Sequence, residues 1–300
     1  MSGADETSTP DPRLLDAGGW RRLVPWLNVT EAGCTAGGAG FMAVDDDALG
    51  RAADSLHDQG WFALPPCLPP DLIDGLGRGI SRLAALGWPP VFIHVFDQAW
   101  ALQAALTPLA RHLLGDRFAV LPHLWAWCVP PVAGARGWPG HRDLIGNSVF
   151  PGGIHMTLSL WVPLVDATLD NGCIRVVPLP VERALPDRLE TMIADGRLAA
   201  EPEAIGTPLP AAAGAVLGWR QDLWHWSGRA TTAAAGPRIS IAIEMQNRAF
   251  DAVAEPLIAA GHGPRMQMRV DLILRALRTY ARMESLPGQL PIDTLAQEFK

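Results

Sequence analysis

Lysine is almost missing from this chain of 300 residues, since Lys300 is the only one. The 24 basic residues are outnumbered by 31 acidic residues, and the formal net charge is -7 at pH 7. Binding to the phosphates of DNA or RNA requires clustered cations that release counterions. The sequence therefore predicts no nucleic-acid partner.

Cysteine is also scarce, and its four copies lie far apart in the chain. They are Cys34, Cys67, Cys128 and Cys173, with no Cys-x-x-Cys pair among them. This spacing argues against a disulfide framework and against a zinc site built from thiolates. We expect four buried thiols.

Long apolar runs are absent from the opening segment, MSGADETSTPDPR, which carries acidic residues instead. Because this segment matches neither a secretory signal nor a membrane span, we expect no membrane span and a cytoplasmic location. Over the whole chain, 49% of the residues are hydrophobic and 18% are charged. That balance is typical of a globular protein with a substantial core.

The patterning divides the chain into an N-terminal arm and a single domain. Residues 1–42, which run into the glycine-rich GCTAGGAG, predict a partly disordered arm. The domain spans 43–300, where 43–116 and 248–300 show helical spacing. Between these helical parts, 117–247 changes to period two, which favours a sandwich or barrel with helices packed against it. The candidate strands are RFAVLPHLWAWCV, HMTLSLWVPLV, CIRVVPL, GAVLGW, LWHWS and RISIAIEMQ.

Several candidate strands carry polar side chains on one face and apolar side chains on the other, because residues two apart point the same way. A solvent-facing sheet surface is the usual meaning of such alternation. Here the polar faces contain His, Thr, Ser and Arg more than Lys and Glu, which favours a polar lumen inside a barrel. The residues on these faces are His155, Thr157, Ser159, Trp161, His225, Ser227, Arg238, Ser240, Ala242 and Glu244.

The stretch GHRDLIGNS at 140–148 looks at first sight like the catalytic loop of a protein kinase. That loop has three residues between its leucine and a magnesium-binding asparagine. Only Ile145 and Gly146 stand between Leu144 and Asn147 here. The chain also lacks the strand lysine and the Asp-Phe-Gly that kinase chemistry requires, so a kinase is excluded.

His141 and Asp143 instead suggest half of a metal site. Alone, a His-x-Asp pair is more often a surface turn or a hydrogen-bonded pair, but His225 lies later on the polar side of a strand. Two histidines and one carboxylate on one face of an octahedron leave positions open for a co-substrate and dioxygen, as in non-heme iron(II) oxygenases. Zinc would favour a closed tetrahedron. We therefore predict an iron(II) site formed by His141, Asp143 and His225.

Arg238 follows the distal histidine, and Ser240 lies on the same strand face. A guanidinium group matches a carboxylate in a bidentate pair, and a neighbouring hydroxyl can donate one more hydrogen bond. A structural salt bridge is the ordinary role of a single arginine. The position after a candidate metal ligand favours binding of the far carboxylate of 2-oxoglutarate.

Between about residues 58 and 247 the chain resembles the phytanoyl-CoA dioxygenase family of iron(II)- and 2-oxoglutarate-dependent oxygenases. The matching stretches are DQGWFALPPCLPPDLIDGL, GHRD, TLSLWVPLVDATLDNGCIRVVP and GAVLGWRQDLWHWSGRATTAAAGPRISIAIEMQ. The resemblance implies a mainly β fold with flanking helices around a double-stranded β-helix, a cupin-like jelly roll. It implies iron(II) on the predicted triad, 2-oxoglutarate on Arg238, and dioxygen as oxidant. It also implies that Ser227, Thr157 and Trp161 lie near the co-substrate.

The same resemblance implies hydroxylation of an unactivated C–H bond of a small organic molecule, with release of succinate and carbon dioxide. An amino acid, a lipid or a natural-product intermediate fits, whereas the phosphates of coenzyme A would call for more cations than this acidic chain offers. Asp143 favours hydroxylation, because related halogenases carry a small residue at that position. Desaturation or ring closure would use the same ligands.

Two further alternatives are a catalytically silent ligand-binding β-barrel and a cupin-like zinc or manganese isomerase or hydrolase. The chain also departs from the family after its Asn-Gly-Cys turn, where VVPLPVERALPDRLETMIADG predicts a helix in place of Pro-Gly-Ser-His. Arg142, Arg175 and Arg229 are candidates for holding a substrate carboxylate, although exposure to solvent is the more common role. Five tryptophans near the predicted site are candidates for core packing or for the wall of an apolar pocket. These tryptophans are Trp125, Trp127, Trp138, Trp224 and Trp226.

Overall fold

The computed structural model of the chain describes residues 10–35, 40, 42–284, 292–295 and 299. Its β-strands are β1 Cys34–Thr35, β2 Trp61–Leu64, β3 Phe118–Val120, β4 Trp125–Val129, β5 Val149–Phe150, β6 Ile154–His155, β7 Thr157–Pro163, β8 Ile174–Val176, β9 Thr207–Leu209, β10 Val216–Trp219, β11 His225–Ser227, β12 Arg238–Asn247 and β13 His262–Gly263. Its α-helices are α1 Ala17–Leu23, α2 Asp46–Asp58, α3 Pro70–Ala85, α4 Asp97–Ala105, α5 Thr107–Leu114, α6 Leu179–Arg183, α7 Leu189–Ala194, α8 Met266–Glu284 and α9 Ile292–Leu295. Short 3-10 helices span Pro12–Leu15 and Pro90–Val95.

Two antiparallel sheets form the β core. The larger sheet has the strand order β2-β10-β7-β12-β3, with β4 also paired to β12, and the smaller sheet has the order β11-β8-β9. Strands that are distant in sequence therefore lie side by side, as in a jelly roll. An isolated bridge between His141 and His225 attaches the loop that carries GHRD to the smaller sheet. The predicted jelly-roll fold with flanking helices is confirmed.

The central strand β12 shows why the polar faces turn inward. On β12, the apolar side chains of Ile239, Ile241 and Ile243 are buried in the hydrophobic core, where the strand contacts α3 and α5. Since alternate side chains point to the opposite face, Arg238 and Glu244 face the interior of the jelly roll and line a cavity there. Polar side chains of β12 thus face inward, as predicted, although Ser240 does not line the cavity and much of the cavity wall is aromatic.

The helices follow the sequence signals closely, with one difference. Helix α2 begins after Asp45, whose carboxylate accepts a hydrogen bond from the backbone N–H of Ala48 at 2.7 Å. The stretch QAWALQAALTPLARHLLG, which predicts one helix, instead forms α4 and α5 with a break at Leu106. Pro108 lies in the first turn of α5, where its missing N–H is tolerated, and it cannot continue the preceding helix.

Residues 12–23 depart from the predicted partly disordered arm, because they form a 3-10 helix and α1. Trp20 is completely buried, and its indole stacks on Phe92 and meets Trp88 edge-on. The arm prediction came from local composition, which does not reveal that a distant apolar surface receives this side chain. Residues 1–9, 36–39 and 41 of the predicted arm lie outside the described residues.

All four cysteines are free thiols, as predicted, but the expected burial holds only for Cys67 and Cys173, since Cys34 and Cys128 are half-buried. Within the described ranges, no helix combines the length and the apolar character needed to cross a lipid bilayer.

Candidate active site

A cavity inside the jelly roll brings together most of the predicted site residues. Its walls come from both sheets, from the GHRD loop and from α8, and they are mainly aromatic. The lining residues are His123, Trp125, Trp127, Trp138, His141, Asp143, Ser159, Trp161, Ile174, Trp219, His225, Trp226, Ser227, Arg238, Ala242, Glu244 and Tyr280. Four of the five tryptophans that were candidates for a pocket wall therefore line the cavity.

His141, Asp143 and His225 meet at one side of this cavity. One ligand atom from each residue lies within 4.8 Å of the others. Asp143 Oδ1 is 3.3 Å from His141 Nε2 and 3.5 Å from His225 Nε2. The geometry arises from paired backbone hydrogen bonds of 3.0 Å between His141 and His225, which fix the two histidines side by side.

Each histidine ring is oriented by its other nitrogen. His141 Nδ1 lies 2.7 Å from the Pro139 carbonyl oxygen, and His225 Nδ1 lies 3.0 Å from the Leu223 carbonyl oxygen. A carbonyl only accepts hydrogen bonds, so Nδ1 is the donor in both rings. In the neutral ring, Nε2 then carries a lone pair. Such a hydrogen bond fixes the tautomer and the ring orientation of metal-binding histidines in proteins.

The carboxylate of Asp143 is oriented in a similar way. Its Oδ2 accepts hydrogen bonds from Ser159 Oγ at 2.7 Å and from Trp219 Nε1 at 3.0 Å. Oδ1 is left facing the two imidazoles. The hydrogen bonds therefore select which oxygen faces the histidines and hold it there.

Electrostatics favour a neutral His225 and an ionised Asp143. Burial lowers the pKa of His225 to about 4. Burial also opposes ionisation of Asp143, but the two histidines and the Ser159 hydroxyl outweigh it, so the pKa of Asp143 lies well below its usual range. For His141, burial lowers the pKa, but the hydrogen bond and charge of Asp143 raise it more, and the net pKa is raised.

This donor set fits a divalent cation. Two imidazole lone pairs and a carboxylate oxygen converge at short range, and His141 Nε2 is buried with no hydrogen-bond donor among the described residues. Such electron-rich atoms repel one another unless a proton or a metal ion lies between them. Nitrogen and oxygen ligands on one side, with the cavity on the other, match the facial arrangement of non-heme iron(II) sites.

Arg238 lies further along the lumen and is buried. Its Nη2 donates a hydrogen bond to Ser227 Oγ at 2.8 Å, and the same oxygen accepts the Gly137 backbone N–H at 2.9 Å. The guanidinium carbon lies 5.6 Å from the centroid of the Trp161 ring. The structure thus brings Arg238, Ser227 and Trp161 together in the cavity with the metal ligands, although these residues were predicted from different strands.

Thr157 and Ser240 are completely buried, but neither residue lines the cavity. Their hydroxyl oxygens have no hydrogen-bond partner within the described part of the chain. The hydroxyl that holds Arg238 is that of Ser227, not that of Ser240. Strand alternation identifies the face on which a side chain lies, but not how far along the lumen the cavity extends.

Three features of the site were not predicted from the sequence. Tyr280 reaches the cavity from α8, a helix whose periodicity indicates only ordinary packing. Trp219 contributes the hydrogen bond to Asp143, and no residue pattern signals that role. Glu244 was recognised only as part of a polar strand face, and its contacts with His123 and Gln221 depend on the tertiary fold.

The three arginines considered for a substrate carboxylate are all paired with acidic side chains. Arg142 forms ion pairs with Glu182 and Glu190, which lie on the two helices of the divergent segment. Arg175 pairs with Glu203, and Arg229 pairs with Glu201. Trp224 does not line the cavity, and its ring lies 5.7 Å from the guanidinium carbon of Arg142. The divergent segment is helical, as predicted, but it forms the two short helices α6 and α7 and not the single helix expected.

The jelly roll holds two histidines, one aspartate and a buried arginine around an internal cavity. This arrangement of metal ligands is the one that non-heme iron(II) enzymes use. A model of the phytanoyl-CoA dioxygenase (PhyH) family matches residues 56–240, which is more than half of the chain. The chain therefore belongs to this family, and it is an iron(II)- and 2-oxoglutarate-dependent oxidoreductase. No curated protein matches the sequence.

Solved structures of other proteins share this fold. HygX from Streptomyces hygroscopicus, solved with nickel and 2-oxoglutarate bound, is 16% identical and has a TM-score of 0.52 over 71% of this chain and 93% of its own. AviO1 from Streptomyces viridochromogenes Tue57 is 23% identical, with a TM-score of 0.51 over 71% of this chain and 100% of its own. At these identities the comparison establishes the shared fold.

Proposed function

We propose that this oxidoreductase hydroxylates an unactivated C–H bond of a small organic molecule, such as an amino acid, a lipid or a natural-product intermediate. One atom of dioxygen enters the product hydroxyl, the other enters succinate, and the carboxyl group lost from 2-oxoglutarate leaves as carbon dioxide. The observation that carries this proposal is the carboxylate of Asp143 beside the two histidines. A third protein ligand at this position leaves no place for a halide, and this favours hydroxylation over halogenation.

His141, Asp143 and His225 would hold iron(II), which together with 2-oxoglutarate and dioxygen supplies the oxidising chemistry. The protein orients these donors through the Pro139 and Leu223 carbonyls and through the donors to Asp143. Preorganised ligands need little rearrangement when the metal enters. The aromatic walls exclude bulk water from the bound substrate.

Arg238 would bind the distal carboxylate of 2-oxoglutarate in this proposal, while Ser227 holds the guanidinium in place. A buried arginine on the lumen, in the same cavity as the metal ligands, suits a dicarboxylate that must reach both. Trp161 packs beside the guanidinium. Ser240 and Thr157 would not contact 2-oxoglutarate, since their side chains do not line the cavity.

Anaerobic titration tests the assignment of cofactors to these residues. Addition of iron(II) and then 2-oxoglutarate to the purified protein is expected to produce a weak visible charge-transfer band. In air, succinate release should depend on iron(II), and substrate screening should yield a product that contains one labelled oxygen from dioxygen. A desaturated or cyclised product would contradict hydroxylation while leaving the cofactor assignment intact, and a protein without the band would contradict both.

The Arg238→Ala variant tests the 2-oxoglutarate site. Loss of one partner of a buried charged pair costs about 2–5 kcal/mol, so we expect the KM for 2-oxoglutarate to rise by about 100-fold. Iron(II) affinity, measured without 2-oxoglutarate, should change little because the metal ligands are untouched. Arg78→Ala, which removes an exposed arginine on α3, is the matched control, and an equal KM for both variants would disprove the role of Arg238.

A further inference from the structure

Glu244 is an acidic residue in the cavity wall that the reaction described above does not use. It lies on β12 directly opposite Ser159, the residue whose hydroxyl donates to Asp143. Its side chain is only 13% exposed, and it is one of the residues that line the cavity. A second carboxylate therefore lies in the same cavity wall as the candidate metal site.

The two hydrogen bonds to Glu244 both end on the same oxygen atom. His123 Nδ1 lies 2.8 Å from Oε2, and Gln221 Nε2 lies 2.6 Å from Oε2. No hydrogen bond to Oε1 is found within the described ranges of the chain. Because a carboxylate has about four lone-pair sites, Glu244 is anchored through one oxygen and retains the other for a donor in the cavity.

Aromatic rings line the same cavity as Glu244. The Tyr280 ring lies 4.5 Å from the Trp138 ring and 5.2 Å from the Trp125 ring, measured between centroids. All three rings line the cavity together with Glu244. The faces of Trp and Tyr rings attract cations, by about 0.5–2 kcal/mol for each contact.

The lumen therefore has a cationic end at Arg238 and a carboxylate end, where Glu244 is paired with His123. Arg238 and Glu244 lie on the same face of β12, roughly 20 Å apart along the strand at about 3.3 Å per residue. The cationic end attracts the dianionic co-substrate. At the carboxylate end, the second oxygen of Glu244 offers an acceptor to a positively charged donor.

We infer that the substrate carries a protonated amine, which donates to Glu244 Oε1 and lies against the rings of Trp125, Trp138 and Tyr280. This inference rests on the proposed function, because it assigns the substrate class of the same cavity. Burial and the charge of Asp143 raise the pKa of Glu244, while the hydrogen bond and charge of His123 lower it, and the net pKa is raised. A bound ammonium group would stabilise the ionised carboxylate of Glu244. An alcohol would stabilise it weakly, and a carboxylate ligand would be repelled by it.

Binding of a matched set of probes tests the substrate charge. Cyclohexylamine, cyclohexanol and cyclohexanecarboxylate have nearly the same shape and differ in charge. Their dissociation constants can be measured by tryptophan fluorescence in the anaerobic complex with iron(II) and 2-oxoglutarate. We expect the amine to bind at least 10-fold more tightly than the alcohol, with the carboxylate weakest. A neutral or anionic probe that binds as tightly as the amine, or no binding by the amine, overturns the inference.

The Glu244→Gln variant localises the effect to one carboxylate. It should weaken amine binding by about 10-fold and leave cyclohexanol binding unchanged, while Glu31→Gln, which changes a carboxylate that is 69% exposed, should alter neither. An equal loss for amine and alcohol contradicts the assignment to Glu244. The visible charge-transfer band separates the two proposals: its presence without an amine preference disproves only this inference, and its absence disproves the proposed function.

Discussion

The indole of Trp219 contacts the candidate metal site from β10, where its Nε1–H lies 3.0 Å from Asp143 Oδ2. Its ring also lies 4.7 Å from the His225 ring, measured between centroids. One side chain therefore orients one metal ligand by a hydrogen bond and packs against another. Partners of this kind typically change metal affinity by 10- to 100-fold.

The Trp219→Phe variant separates the hydrogen bond from the packing. We expect iron(II) to bind about 10-fold more weakly, because Asp143 would keep only the Ser159 donor to Oδ2. Anaerobic iron(II) titration measures the change. Trp61→Phe is a suitable control, since Trp61 pairs with Trp219 across the sheet and its indole nitrogen has no partner among the described residues. Unchanged iron affinity in Trp219→Phe would show that Ser159 alone orients Asp143.

Arg142 joins secondary-structure elements that the sequence separates widely. It lies between the ligands His141 and Asp143, its Nε donates to Glu190 on α7 at 2.6 Å, and Glu182 on α6 accepts from Nη2. Its Nη1 also donates to the Asp222 carbonyl oxygen, close to β11. The side chain is 13% exposed. The segment in which the chain departs from its family therefore braces the loop that carries two metal ligands.

Replacement of Arg142 by Gln is expected to loosen this connection. The partly buried carboxylates of Glu182 and Glu190 would lose their cation. Breaking a fully buried pair lowers the free energy of unfolding by about 3–5 kcal/mol, and a partly buried pair costs less. We expect a loss of about 2–4 kcal/mol in the free energy of unfolding and faster hydrogen exchange in α6, α7 and the GHRD loop. Arg197→Gln removes two exposed ion pairs and should leave unfolding and exchange nearly unchanged. Unchanged exchange in the loop would argue that Arg142 does not brace it.

An aromatic cluster joins α1 and Phe299 to the 3-10 helix Pro90–Val95. Trp20 from α1 packs against Trp88, Phe92 and Phe96, and Phe299 joins the same cluster at a centroid distance of 4.9 Å from Trp20. Helix α8 packs on the 3-10 helix Pro90–Val95 and also sends Tyr280 into the cavity. Residues Trp20 and Phe299 and helix α8 thus belong to the core.

The Trp20→Ala variant tests this arrangement. Truncation of a fully buried tryptophan costs about 3–5 kcal/mol, so thermal and denaturant unfolding should show a large loss of stability. Trp26→Ala, which removes a tryptophan that is 39% exposed, should cost about 1 kcal/mol through its hydrogen bond to Gly75. If both variants lost the same small amount, residues 12–23 would be a loose arm after all.

Sequence patterns predicted much of this fold and part of the site. Alternation along HMTLSLWV and RISIAIEM placed Ser159 and Glu244 on inward-facing strand faces, because the side-chain period of a strand is fixed by its backbone. Proline and glycine signals divided the chain into strands and helices, although the break at Leu106 was missed. Alternation, proline and glycine are local signals, so each element can be predicted from a short stretch of the sequence.

The amino-acid sequence by itself determined the family and the ligand types. The His-x-Asp pair, the distal histidine and the following arginine occur in one order along a chain whose hydrophobic pattern specifies strands. The convergence of Asp143 Oδ1 and two Nε2 atoms, the anchoring of Arg238 by Ser227 and the free oxygen of Glu244 were decided only by the tertiary structure. Strand crossovers bring residues distant in the chain within a few ångströms, and a local pattern contains no information about such distances.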